Sequence, residues 1–147
     1  MRALLLLPLL GLAACSSDAP PPDAAANAAY LEKASAEPGA IRTPSGLIYK
    51  ELRPGTGTSP IATDTVKVNY RGTLVNGKEF DKSSEPVTFP LTRVIPCWTE
   101  GVQKMKIGGK AQLVCPAAIG YGSAGSPPDI PGGATLIFEI ELLGIGN

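Results

Sequence analysis

Val94-Ile95-Pro96-Cys97-Trp98-Thr99-Glu100-Gly101 holds two apolar anchors, a helix-starting proline, a cysteine and the only tryptophan of the chain. Pro96 has a preset φ and no N–H to leave unsatisfied, so it suits the first turn of a helix. From Trp98 the apolar Val102 and Met105 follow at i+4 and i+7, one face of a 3.6-residue period, and Gly108-Gly109 ends the run. The spacing predicts a short helix that turns Trp98 inward. An inward tryptophan is most simply a core side chain; as the floor of a ligand pocket it needs walls and polar groups from elsewhere.

Strand patterns surround this stretch. Val66-Lys67-Val68-Asn69-Tyr70-Arg71 alternates cleanly, with Val66, Val68 and Tyr70 on one face, as in a half-buried strand. Asn76-Gly77 then lies between two runs, a strong hairpin signal, so Phe80-Asp81 leaves a hairpin. Gly46 to Leu52, Pro86 to Leu91, Ala111 to Cys115 and Thr135 to Leu143 read as further strands, the last with Phe138, Ile140 and Leu142 on one face and Ile137, Glu139 and Glu141 on the other. The expected fold is α+β: a twisted antiparallel sheet of about five to six strands wrapping one short helix. Pro116 to Ala134 is a loop dense in Gly, Pro and Ser that carries Tyr121 and Ile130, long enough to suggest function.

The start of the chain is different. Met1-Arg2 and the apolar run Ala3 to Ala13 read as a secretory signal, too short for a permanent span. Leu12-Ala13-Ala14-Cys15 resembles the lipobox of bacterial lipoproteins, which implies a signal over 1–14, cleavage before Cys15 and acylation, palmitate included, of that cysteine. Ser16-Ser17 then points, by resemblance to enterobacterial sorting, to the outer membrane. Residues 15–42, rich in Pro and Ala around Pro20-Pro21-Pro22, are expected to be a tether, with a short helix over Tyr30 to Ala36 ended by Pro38-Gly39. The folded domain is expected over 43–147.

Thirteen basic residues balance thirteen acidic ones, so nucleic acid has no electrostatic footprint to bind. The chain has no histidine, which sets aside His-based triads and the commonest metal ligand. No metal and no cofactor is expected.

In order along the chain, Val68-Asn69-Tyr70-Arg71-Gly72, Asn76 to Asp81, Val94 to Gly101, Tyr121-Gly122, Ile130-Pro131 and Ala134 to Phe138 resemble the FK506-binding-protein type of peptidyl-prolyl cis–trans isomerase, from about Gly46 to Leu143. The resemblance implies that Trp98 floors an apolar pocket, walled by the aromatic Tyr70, Phe80 and Phe138 and the aliphatic Val94, Ile95 and Ile130. It implies that Tyr121 offers a hydroxyl to a substrate carbonyl, that Asp81 orients or polarises the rotating amide beside Phe80, and that the Ile95 N–H is a backbone donor. Val87 stands where many members carry a third aromatic, Asp129 where the loop is usually apolar, and Ser126 where the best-known members have histidine. The first of these departures should open one wall and either weaken macrolide binding or alter the preference for the residue before proline.

Such an enzyme acts on X–Pro segments, here those of exported proteins, and macrolides like FK506 or rapamycin are candidate ligands of its pocket. A noncatalytic peptide-binding or chaperone module on the same fold is the rival reading, and a purely structural envelope lipoprotein a third. A monomer held in the periplasm by its tether is expected. With Cys15 acylated, Cys97 and Cys115 remain in an oxidising compartment, 18 residues apart. They are expected to form a disulfide; the alternative is two small buried thiols. Their spacing is not the Cys-x-x-Cys of redox catalysts.

Overall fold

The computed structural model describes residues 24–146. The signal assigned to 1–14 and the acylation of Cys15 lie outside the described residues. Seven strands form one antiparallel sheet: β1 (Ala40–Arg42), β2 (Ile48–Arg53), β3 (Thr65–Leu74), β4 (Glu79–Lys82), β5 (Val87–Pro90), β6 (Lys110–Cys115) and β7 (Leu136–Gly146). Helix α1 spans Ala24–Ser35 and α2 spans Pro96–Val102. The strand order is β1-β2-β6-β7-β3-β4, and β5 also pairs with β3. Strand β3 is the hub. One edge lies along β7 from Thr65 to Leu74; the other takes β5 at Thr65–Val68 and β4 at Arg71–Thr73.

Alternation sorts each strand between two layers. Val66, Val68, Ala111, Leu113, Phe138, Ile140 and Leu142 are buried together with Trp98, Val102 and Met105 of the α2 region. Helix α2 begins where Pro96 predicts, with Pro in its first turn and Ile95 as cap; the Ile95 carbonyl accepts the N–H groups of Trp98 and Thr99. The helix presses closely on β6, since a methyl group on Gly101 would collide with Leu113. A disulfide joins Cys97 to Cys115 at the end of β6, Cα atoms 5.8 Å apart, both side chains fully buried. The Asn76-Gly77 turn follows the hairpin rule, with φ +90° at Gly77.

The amino-terminal part departs from the expected tether. The helix begins at Ala24, six residues before the expected Tyr30, and β1 lies within the stretch read as tether. The cause is long-range. Ile48, Val114 and Ile137 fall side by side across β2, β6 and β7 on the face away from α2, forming an apolar row on a surface whose neighbours are charged. Ala34, with Tyr30 and Leu31, covers that row, and all three central residues are buried. Burial of this kind outweighs the weak amphipathic pattern of an alanine-rich segment. Beyond the covered row the same face is polar, bridged by Arg53–Glu141, Arg71–Glu79 and Lys110–Glu139.

Candidate active site

Three strands converge on Trp98. Tyr70 comes from the middle of β3, Phe89 from β5, Phe138 from β7, and their rings stand edge-on to the indole at centroid distances of 5.2, 5.4 and 5.3 Å. Phe80 of β4 meets Phe138 edge-on at 5.6 Å, and Tyr70 meets Phe89 at 5.7 Å. Each such pair contributes about 0.5–1.5 kcal/mol beyond its buried area, so the ring lattice is self-supporting. Gly72 makes room for it, because any side chain there would strike the rings of Phe80 and Phe138.

Above this lattice opens a cleft of about 440 Å³ lined by Tyr70, Phe80, Asp81, Phe89, Arg93, Val94, Ile95, Trp98, Tyr121 and Phe138. That volume suits a proline ring with its flanking peptide. Trp98 is 4% exposed, and its indole N–H is buried without a partner among the described residues. Tyr121 is 41% exposed at the mouth.

The polar pair of the cleft is Tyr70 and Asp81. The Tyr70 hydroxyl donates to the Asp81 carboxylate at 2.7 Å. Burial chiefly, then this hydrogen bond, pushes the Tyr70 pKa well above the ordinary tyrosine value, so its phenol stays neutral through physiological pH. The backbone of Tyr70 is held in turn by Ser83: its N–H donates to Ser83 Oγ at 2.9 Å, and its carbonyl accepts the Ser83 N–H at 2.9 Å. Thr99 Oγ1 donates to the Leu91 carbonyl at 2.8 Å, tying α2 to the turn that delivers Val94 and Ile95.

Tyr70, Phe80, Asp81, Val94, Ile95, Trp98, Tyr121 and Phe138 are brought together to line one cleft. Two expected wall residues are not. Ile130 is 5% exposed and packed in the core, outside the lining. Val87, paired with Val68, is not among the lining residues, and Phe89, on the same face two residues on, supplies the third aromatic. The expected open wall is thus closed by Phe89. Phe89 and Arg93 are lining residues that the motifs did not single out. For Phe89 the signal was present, since the alternation of β5 puts it on the face of Val87. No group of three or more Cys, Asp or Glu side chains suited to a metal occurs among the described residues.

A short helix crossing one face of an antiparallel sheet, with its tryptophan flooring an aromatic cleft, places the molecule in the FK506-binding-protein class of folds. The family model for FKBP-type peptidyl-prolyl cis-trans isomerases matches residues 57–143, and the chain belongs to that family. It is 48% identical over 130 residues to the FKBP-type peptidyl-prolyl cis-trans isomerase FkpA of Escherichia coli K12, an alignment covering 84% of this chain and 48% of that protein. The chain thus spans about half the length of the curated relatives it matches. Among solved structures, a peptidyl-prolyl cis-trans isomerase from Pseudomonas syringae superposes with TM-score 0.81 at 38% identity, covering 88% of this chain and 99% of that one. The FkpA structure from E. coli follows with TM-score 0.78 at 48% identity, covering 84% and 61%.

Proposed function

We propose that this chain is a peptidyl-prolyl cis–trans isomerase that assists the folding of exported proteins in the bacterial envelope. The observation that carries the reading is the cleft itself: an apolar floor at Trp98, four flanking aromatic rings, and one fixed carboxylate at the rim. Rotating an X–Pro bond makes and breaks no covalent bond; the obstacle is amide resonance, a barrier of roughly 18–20 kcal/mol. A twisted amide loses charge separation, so a dry cleft disfavours the planar ground state relative to the transition state. The proline ring stacks on Trp98, the Ile95 N–H and the Tyr121 hydroxyl hold the carbonyl groups, and Asp81, immobilised by Tyr70, faces the rotating amide.

The same proposal places the enzyme on a lipid anchor at Cys15 after removal of residues 1–14, facing the periplasm from the outer membrane, as a monomer. The lipobox-like Leu12-Ala13-Ala14-Cys15 supports that placement. Macrolides of the FK506 and rapamycin type are candidate ligands, favoured by the aromatic wall that Phe89 completes.

Isomer exchange on a short Ala-Leu-Pro-Phe peptide tests the reading, with wild type compared against Tyr121→Phe and Asp81→Ala. Acceleration by wild type, reduced in both variants, is expected. A folded wild type without acceleration would remove the isomerase reading, and retained peptide binding would then support a noncatalytic chaperone.

A further inference from the structure

Asn27 is one of three buried polar side chains among the described residues, 8% exposed on the inner face of α1. Its Oδ1 accepts the Thr135 N–H at 3.0 Å and its Nδ2 donates to the Gly133 carbonyl at 3.3 Å. One amide thus grips the chain where the long loop ends and β7 begins. The grip extends further. The Gly133 N–H donates to the Gly122 carbonyl at 2.9 Å, and the Gly122 N–H donates to the Ala117 carbonyl at 2.8 Å. Tyr121, the cleft residue, is the next residue before Gly122 and accepts the Gly125 N–H at 3.1 Å.

The loop that carries Tyr121 has bonds of its own, a 3-10 turn over Ala117–Ile119 and a two-way pairing of Ser126 with Ile130, and its closing limb is tied in addition to α1 through Asn27. Gly122, Gly125 and Gly133 all stand at positive φ, 67°, 67° and 76°. Glycine leaves the unfolded backbone many alternatives, so a loop built on it needs external anchors to keep one conformation. The two limbs are bonded to each other through Gly133 and Gly122, and the second limb is bonded to Asn27. The side chain of Leu31, by contrast, is apolar and packs against the covered row.

We propose that Asn27 is a positioning residue of the cleft: through Gly133 and Gly122 the amino-terminal helix holds the Tyr121 loop in register with Trp98. The inference rests on the isomerase reading and deepens it. It makes α1, the element that joins the membrane tether to the domain, a determinant of catalytic rate and not only of anchorage.

The test is a double-mutant cycle on the full chain, with isomerisation of the same proline peptide as the readout. Asn27→Ala is expected to lower kcat/KM at least about five-fold, since small misplacements of an orienting group are costly. In a Tyr121→Phe background the same substitution is expected to change the rate less than about two-fold, because the group it positions is gone. Leu31→Ala, which trims the apolar packing of α1 but keeps the Asn27 amide and both of its bonds, should lower thermal stability and leave kcat/KM within about two-fold. Amide exchange at Gly122 and Gly133 should quicken in Asn27→Ala but not in Leu31→Ala. Should Asn27→Ala not fold, Asn27→Asp keeps the acceptor for Thr135, loses the donor to Gly133, and carries the same comparison. An unchanged rate in a folded Asn27 variant, or an equal loss in the Tyr121→Phe background, overturns the positioning role. A wild type without isomerase activity overturns the underlying reading instead, so the two failures are distinguishable.

Discussion

Opening the Cys97–Cys115 disulfide should lower the free energy of unfolding by about 3 kcal/mol. The bridge closes a loop with a sequence separation of 18. In the chain-entropy account, removing that closure returns on the order of 11 cal/mol/K to the unfolded chain, about 3 kcal/mol at 25 °C. Two perturbations separate this from packing. Reduced wild type keeps both sulfur atoms in the core, so its loss reports chain entropy. A Cys97→Ala, Cys115→Ala chain also empties two fully buried positions, which adds on the order of 1 kcal/mol. Urea unfolding of oxidised, reduced and doubly substituted protein measures all three, and melting temperatures should fall by roughly 10 °C. The cleft should survive in the folded reduced protein. Trp98, Gly101 and Val102 remain buried against the sheet and Thr99 remains bonded to Leu91, so the isomerase rate should stay within about two-fold. An unchanged denaturation midpoint on reduction would refute the entropic reasoning. Two free thiols at Cys97 and Cys115 in denatured, unreduced protein would refute the bridge itself.

Phe89→Ala should lower kcat/KM at least about ten-fold, because it removes an edge-on partner of both Trp98 and Tyr70, whereas Val87→Ala should change it less than about two-fold; equal effects in the peptide assay would return the third wall to Val87. Gly72→Ala should destabilise the fold by about 1–3 kcal/mol and distort the cleft, since the methyl group has no space between Phe80 and Phe138; a neutral denaturation midpoint would contradict this packing. The rate should be flat between about pH 6 and pH 9, because burial and the Asp81 bond hold Tyr70 neutral there. Burial, helped by Glu51, pushes Tyr49 up to about 12. A pKa raised on folding stabilises fully below the unfolded value near 10 and is lost as pH rises past it. Stability should therefore fall above about pH 10, less steeply in Tyr49→Phe, which pH-resolved urea titrations would show. The opposite sign holds for Glu141, whose carboxyl is drawn below its usual range first by the hydrogen bond from Arg53, then by Asn69. Its stabilisation is present above the usual carboxylate range and lost on acidification, and Arg53→Met should flatten that acid limb.

Much of the cleft could be read along the chain because its parts are local. Pro96 starts α2 through its own ring geometry, the Asn76-Gly77 pair makes its turn from its own backbone freedom, and alternation alone puts Tyr70 and Phe138 on inner faces. Phe89 was equally available to alternation, yet matching by family position favoured Val87. Only the packing of β5 against α2 shows that it is Phe89 whose ring stands against Trp98. The Tyr70–Asp81 bond is of the same kind. It joins residues of paired strands and could not be distinguished in sequence from an aspartate bonding its own turn.

The amino-terminal helix lay furthest from view. Ala24 to Ser35 is short of large apolar residues, and its pattern supports at most the short helix from Tyr30 to Ala36. What makes it a helix is the row of Ile48, Val114 and Ile137, three residues scattered over some ninety positions and brought together by strand pairing. Asn27, an unremarkable residue in an alanine run, gains its meaning from Gly133 and Thr135, over one hundred residues away. Sequence alone determined most of the strands, α2 and the inward tryptophan, which follow from backbone preferences and periodicity, while most cleft residues were named through the family resemblance. Register, the covering of the outer face and the anchoring of the Tyr121 loop were decided by tertiary structure, because each depends on which distant surfaces must be shielded from water.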